Sequence, residues 1–132
     1  MKQIHIERFK KINNPKGNIF KLLNCDLFPN HLNGEIYISK INFGEIKAWM
    51  MHKKYEALFV VISGNVKLKC LNNKRELILD KDFSLKSESV IKVLPNTWYG
   101  FKGISKSTSS ILVLINGLHK ESEIERMNEQ VF

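Results

Sequence analysis

Apolar residues along this chain come in short runs, none long enough for a core helix and most alternating with polar positions. Ten such runs stand out, at 4–9, 18–23, 35–42, 46–52, 58–63, 66–71, 76–79, 90–94, 97–102 and 110–116. Isoleucine and leucine are the commonest apolar residues in them, with valine and phenylalanine next, and the β-branched and aromatic members suit a pleated, half-buried surface. Between the runs lies turn chemistry: Asn13-Asn14-Pro15-Lys16-Gly17, Asn33-Gly34, Ser63-Gly64-Asn65, Asn72-Asn73, Pro95-Asn96 and Gly103. The segment 120–129 alone suits a helix, with Ile124 and Met127 on one side of a charged stretch. Many short strands at even spacing predict an all-β sandwich or barrel with a short C-terminal helix. Closing a sheet on itself removes the edges that invite aggregation.

The stretch from Gly44 to Gly64 carries the most chemistry. Two apolar runs meet at a polar corner holding one histidine, His52, and one carboxylate, Glu56. The pattern predicts a hairpin, with Ser63-Gly64-Asn65 as a second tight turn whose glycine supplies a positive φ. Period two puts Ile46, Ala48, Met50 and His52 on one face. Lys47, Trp49 and Met51 then face the other way unless a bulge intervenes.

Composition narrows the class. At 132 residues the chain fits one domain spanning 1–132. That length buries roughly two-thirds of the unfolded surface without staples. The net charge of +8 fits a lysine-rich solvated surface, or attraction for an anionic ligand. The lysines are spread along the chain and no nucleic-acid motif is present, so a small phosphorylated ligand fits better than nucleic acid. No run approaches the roughly 20 apolar residues of a membrane span. Cys25 and Cys70 lack metal spacing and follow no apolar leader, so reduced thiols and a cytoplasmic location are expected.

The 44–64 segment resembles the first sequence motif of the cupins: a glycine, a five-residue gap, His-x-His, three residues, a glutamate, then a glycine. The first histidine position is Met50, and the Glu56–Gly64 spacing is one residue longer than usual. The second motif is similar to Leu94-Pro95-Asn96-Thr97-Trp98-Tyr99-Gly100-Phe101, with Tyr99 at its histidine position. The four metal positions of the resemblance are then Met50, His52, Glu56 and Tyr99. Two of them are poor ligands for divalent ions, so neither metal nor other cofactor is expected.

Three further segments resemble the metal-free nucleotide-sugar 4-keto epimerases and isomerases. They are Pro15-Lys16-Gly17-Asn18-Ile19; Gly34-Glu35-Ile36-Tyr37-Ile38-Ser39 followed by Ile46-Lys47-Ala48-Trp49; and 94–103 followed by the strand at 111–116 and the tail residues His119 and Glu123. The resemblance to dTDP-4-dehydrorhamnose 3,5-epimerase-like proteins runs over about 12–127, and Tyr37 with His52-Lys53-Lys54-Tyr55-Glu56 resembles the sugar 3,4-ketoisomerases. It implies a cupin jelly-roll β-barrel, paired as a homodimer through N-terminal strands as the resembling families are. It also implies proton transfer next to a sugar ketone in making a bacterial surface polysaccharide or glycan. Carried over, it makes His52, Tyr37 and Tyr99 the catalytic residues, and Lys47, Trp49, Glu56 and Lys16 the contacts of a nucleotide sugar. The epimerase base, enolate lysine and tyrosine acid fall at Met50, Ala57 and within 112–114. Those departures leave a second expectation: a cupin without catalysis that binds a nucleotide sugar or a partner protein. Read as residues alone, Tyr37, Tyr99, Trp49 and Trp98 also suit packing. His5, His31 and His119 have no partner in the sequence and are expected at the surface.

Overall fold

A computed structural model describes residues 3–22, 34–118, 120–128 and 132. Its strands are β1 (Ile4–Arg8), β2 (Lys10–Ile12), β3 (Ile19–Lys21), β4 (Glu35–Ile41), β5 (Ile46–His52) and β6 (Ala57–Ser63). Beyond these come β7 (Asn65–Leu71), β8 (Leu77–Ser84), β9 (Ser89–Val93), β10 (Trp98–Gly103), β11 (Ser109–Ile115) and β12 (Ile124–Arg126). The expected runs coincide with these strands in part or whole. Leu23, Cys25, His31, Asn33, His119 and Glu129 lie outside the described residues.

Two five-stranded antiparallel sheets face each other, ordered β1-β9-β6-β11-β4 and β12-β5-β10-β7-β8. The hairpin of β2 and β3 forms a small sheet of its own. No ladder of hydrogen bonds joins the two large sheets among the described residues, so the expected barrel is an open jelly-roll sandwich. The first sheet brings Phe59, Ile91, Ile111 and Val113 to the core, and the second brings Leu68, Phe83, Tyr99 and Phe101. The Phe59 ring meets Tyr99 at 4.9 Å and Phe101 at 5.0 Å. Each such side chain, fully buried, contributes about 1.5–3 kcal/mol of hydrophobic free energy. Outer faces are covered too: Phe9 packs on Leu58, Val60 and Leu114, while Trp49, Met51 and Trp98 cluster behind the second sheet.

Neither expected hairpin in 44–64 is one. β5 lies in the second sheet and β6 in the first, so the corner holding His52 crosses between sheets. Ser63-Gly64-Asn65 carries the chain back across, from β6 to β7. The reason lies in burial. Ala57 to Val61 are buried on both faces, which demands a central strand, and β6 takes its partners from β9 and β11. Gly64 still has the expected positive φ, 77°. A Cβ there would sit 2.2 Å from the Ser109 hydroxyl oxygen, so the corner also needs the missing side chain.

The expected helix over 120–129 is another correction. The chain makes one 3-10 turn, Glu121–Glu123, and then extends as β12. Strand β5 would otherwise be a sheet edge. The tail satisfies its backbone through Trp49 N–H to Met127 O (3.0 Å), Met127 N–H to Trp49 O (3.1 Å) and Lys53 N–H to Glu123 O (2.8 Å). Strand β8 runs on through Asp80, Lys81 and Asp82, which the hydrophobic pattern does not mark as strand. Lys67 opposite pairs with both aspartates, at 3.1 and 3.0 Å.

Candidate active site

A cavity of about 400 Å³ opens on the inner face of the sandwich, with Tyr37, Lys47, Met50, Phe59, Tyr99 and Arg126 in its wall. A bulge decides which side chains reach it. Across β10–β5, Tyr99 pairs with Met50 but Phe101 pairs with Lys47, so one residue of β10 faces two of β5. The extra residue turns Lys47 onto the same face as Met50 and His52. Its ammonium donates to the Ser39 hydroxyl at 3.2 Å. Gly100 makes the bulge possible, because a Cβ there would meet the Ala48 Cβ at 2.4 Å. The alternation expected in a straight strand placed Lys47 on the opposite face, and the bulge corrects it.

Behind this cavity lies a smaller one of about 180 Å³, which shares Tyr37 and Met50 with it and reaches His52, Tyr55 and Glu123. His52 is buried, 6% exposed, and both ring nitrogens are engaged. Nδ1 stands 2.8 Å from Glu123 Oε1 and Nε2 stands 3.0 Å from the Tyr99 hydroxyl. A carboxylate can only accept, so Nδ1 carries the hydrogen, and Nε2 of the neutral ring accepts from Tyr99. The Tyr99 hydroxyl has a second acceptor, Met50 Sδ at 3.2 Å. When His52 gains a proton at Nε2, it donates to Tyr99 and the phenol proton turns to the sulfur. The side chains therefore form a hydrogen-bonded path with two possible arrangements.

Glu123 anchors that path. Its other oxygen accepts from the Lys54 and Tyr55 amides, at 3.1 and 3.2 Å. Burial by itself would raise its pKa. The His52 hydrogen bond, the Lys54 amide, the charge His52 carries when protonated and the Tyr55 amide outweigh that and hold the carboxyl below its usual range. Burial pushes the Tyr99 phenol well above its ordinary value, with the nearby Tyr37 and Glu123 adding to the shift, so Tyr99 keeps its proton at neutral pH. Tyr37 is raised as well, by burial first and then by Glu35. The ring of Tyr55 leans on Gly117, where a Cβ would stand 2.4 Å from the ring.

The site residues named from the sequence divide. Tyr37, Lys47, His52 and Tyr99 come together. Trp49 borders the larger cavity, while its ring packs 5.4 Å from the Phe132 ring in the cluster with Met51 and Trp98. Glu56 turns away to an ion pair with Lys92 at 3.2 Å. Lys16 sits exposed in the turn between β2 and β3, and neither cavity includes it. Sequence reasoning quoted Glu123 only as a tail residue of the resemblance, without a partner, and did not single out Arg126, which lines the larger cavity; one acid or one arginine in a charged tail carries no periodic signal.

The four positions at which cupins hold a metal do not fit one here. Met50 offers a thioether, the Tyr99 hydroxyl and both His52 nitrogens are hydrogen-bonded, and Glu56 points elsewhere. Among the described residues no group of three His, Cys, Asp or Glu side chains is placed to hold a metal ion.

Solved structures share this architecture. A dTDP sugar isomerase from Desulfovibrio desulfuricans G20 superposes with a TM-score of 0.83 at 20% identity, over 97% of this chain and 85% of its own. QdtA, a sugar 3,4-ketoisomerase from Thermoanaerobacterium thermosaccharolyticum in complex with TDP, gives 0.81 at 16%, over 96% and 90%. The dTDP-4-dehydrorhamnose 3,5-epimerase of Elizabethkingia anophelis NUHP1 gives 0.77 at 13%, over 97% and 76%. The fold is that of the cupin jelly rolls. Among curated proteins no sequence matches. The model of the family described as "FdtA: WxcM-like, C-terminal" matches residues 2–131, and the chain belongs to that family.

Proposed function

We propose that the protein isomerises or epimerises a 4-keto nucleotide sugar, a dTDP-4-keto-6-deoxyhexose or a close relative, by proton transfer next to the ketone. The observation that carries this reading is the buried chain Glu123–His52–Tyr99, which ends on the wall of the 400 Å³ cavity. Enolisation needs a base near neutral pH and a donor for the oxygen that becomes negative. His52 is the base, and Tyr99 stands between it and the larger cavity. As the phenol oxygen takes the proton from the carbon α to the carbonyl, the phenol proton moves to His52 Nε2. The C–H electron pair becomes the enolate double bond, and the carbonyl π pair goes to oxygen. Glu123 holds the resulting imidazolium. Tyr37, present in both cavities and protonated at neutral pH, donates a hydrogen bond to the sugar oxygen. The reverse transfer returns a proton to the opposite face in an epimerase, or to the neighbouring carbon in a ketoisomerase.

Several facts support the substrate class. Lys47 reaches the cavity and can meet a phosphate. QdtA has been solved with TDP, and a variant of it, carrying asparagine in place of a histidine, with TDP-4-keto-6-deoxyglucose. Three of the similar proteins are 3,4-ketoisomerases, from Thermoanaerobacterium, Helicobacter canadensis and Campylobacter jejuni. Together with the convergence of Tyr37 and His52, that favours the ketoisomerase over the epimerase. Work of this kind belongs to the cytoplasmic supply of activated sugars for a surface glycan. A homodimer is part of the proposal: Ile36 and Ile38 on the edge strand β4 are 61% and 55% exposed, an apolar strip that a second copy would cover.

Met50 favours a second reading, a nucleotide-sugar-binding cupin without turnover, because a thioether takes no proton. Solvent-deuterium incorporation into 4-keto nucleotide sugars separates the two. The catalytic reading expects exchange by the wild type, slowed by roughly 10²- to 10⁴-fold in both His52→Ala and Tyr99→Phe. Equal exchange by wild type and His52→Ala removes His52 from the mechanism. No exchange by the wild type with any such sugar leaves the binding reading.

A further inference from the structure

We infer that Arg126 is a phosphoryl-binding residue of the large cavity and that Glu121 is its built-in competitor, a carboxylate that fills the guanidinium fork until an anionic ligand displaces it. The inference rests on the nucleotide-sugar reading above and adds the device that controls entry to that site.

Register places the arginine. Arg126 of β12 pairs with Met50 of β5, so its side chain leaves the sheet on the cavity face. Among the described residues, Lys47 and Arg126 are the cations in the cavity wall. Lys47 is a point charge on a flexible stem, whereas Arg126 offers a planar fork that matches two oxygens of one phosphoryl group. That fork is already filled: Nη1 donates to Glu121 Oε2 at 2.6 Å and Nη2 to Glu121 Oε1 at 3.4 Å. A carboxylate and a phosphoryl group present the same pair of acceptors and would compete for the one fork, Glu121 from outside the cavity wall.

The pair that must open is an exposed one. The side chains of Arg126 and Glu121 are 52% and 66% exposed, and ion pairs so exposed hold by less than about fivefold. A diphosphate brings more charge than one carboxylate. Glu121 belongs to the 3-10 turn whose last residue is Glu123, and Glu123 is pinned by His52 and two backbone amides. When the Arg126–Glu121 pair opens, the turn and the hydrogen-bonded path behind it therefore stay in place.

The test is calorimetric titration with thymidine diphosphate at low ionic strength, using wild type, Arg126→Gln, Arg126→Lys, Glu121→Gln and the double variant, each checked for folding by circular dichroism. Arg126→Gln should weaken binding about tenfold and flatten its salt dependence. Arg126→Lys, which keeps the charge and loses the fork, should fall between it and wild type. Glu121→Gln should tighten binding roughly two- to fivefold, and only while Arg126 is present. Inorganic pyrophosphate should follow the same order and thymidine should not. Affinity unchanged or lowered by Glu121→Gln, or raised equally in the Arg126→Gln background, overturns the inference. If wild type binds thymidine diphosphate and no variant alters the affinity, the competitor fails and the nucleotide-sugar reading stands. If wild type binds none, that reading fails first.

Discussion

Replacing Glu123 by glutamine removes one charge and almost no volume, and the geometry of the site sets the consequence. In the native site Oε1 accepts from His52 and Oε2 accepts from two amides, those of Lys54 and Tyr55. Glutamine has one acceptor end and one donor end. If its oxygen faces His52, its NH₂ meets two N–H donors. If its oxygen faces the amides, its NH₂ points at Nδ1 and forces the other tautomer, whose Nε2–H can no longer accept from Tyr99. In the first arrangement a buried polar group is left unpaired. In the second the Nε2–H donates to Tyr99, the phenol proton turns to Met50 Sδ, and every group keeps a neutral partner. What is lost there is the charged acceptor, and hydrogen bonds to a charged group are worth about 1.5–3 kcal/mol. We expect a loss of about 2 kcal/mol. For a chain of this size that lowers Tm by roughly 7 °C.

The acid limb adds a sign. Glu123 is held below the ordinary carboxylate range, so its contribution is present above the unfolded value. It is lost as pH falls through the lower native value. Wild type should therefore lose stability below about pH 4, and the gap to Glu123→Gln should narrow there. Thermal unfolding watched by near-ultraviolet circular dichroism, at about pH 7 and in steps down to about pH 3, measures both. A Tm within about 1 °C of wild type at neutral pH, or a gap that widens in acid, would refute the reasoning.

Packing gives two further expected outcomes. Gly100→Ala puts a Cβ 2.4 Å from that of Ala48, so it should cost about 2–3 kcal/mol by straining the bulge; denaturant titration with an unchanged midpoint would contradict this. Cys70 is fully buried and its thiol is pushed up to about 12 by burial, so peptide mapping after brief native alkylation should find it unlabelled, and rapid labelling would contradict its place in the core.

Much of this molecule was legible along the chain, because strands write period two into their own residues. The runs at 46–52, 66–71 and 110–116 became β5, β7 and β11, and the turn marked by Pro95-Asn96 forms with Asn96 at a left-handed φ of 65°. The resemblance of 44–64 and 94–103 to cupin motifs depended on local order that the fold preserves, and the fold brings Tyr37, Lys47, His52 and Tyr99 to two adjoining cavities. Pairing is a different matter. Whether β6 meets β5 or β11 depends on which faces become buried, and Gly64 turns a corner between sheets as readily as a hairpin. One extra residue opposite Gly100 moved Lys47 to the cavity side. The tail shows the limit most sharply. Ile124 and Met127 fit one side of a helix, but an unpaired β5 edge offered the backbone a better set of partners. Strand β12 brought Glu123 and Arg126 with it, 71 residues in sequence from His52 in the first case. A charge in a tail has no partner until the fold supplies one, so the proton path and the guanidinium at the cavity were decided by tertiary structure alone.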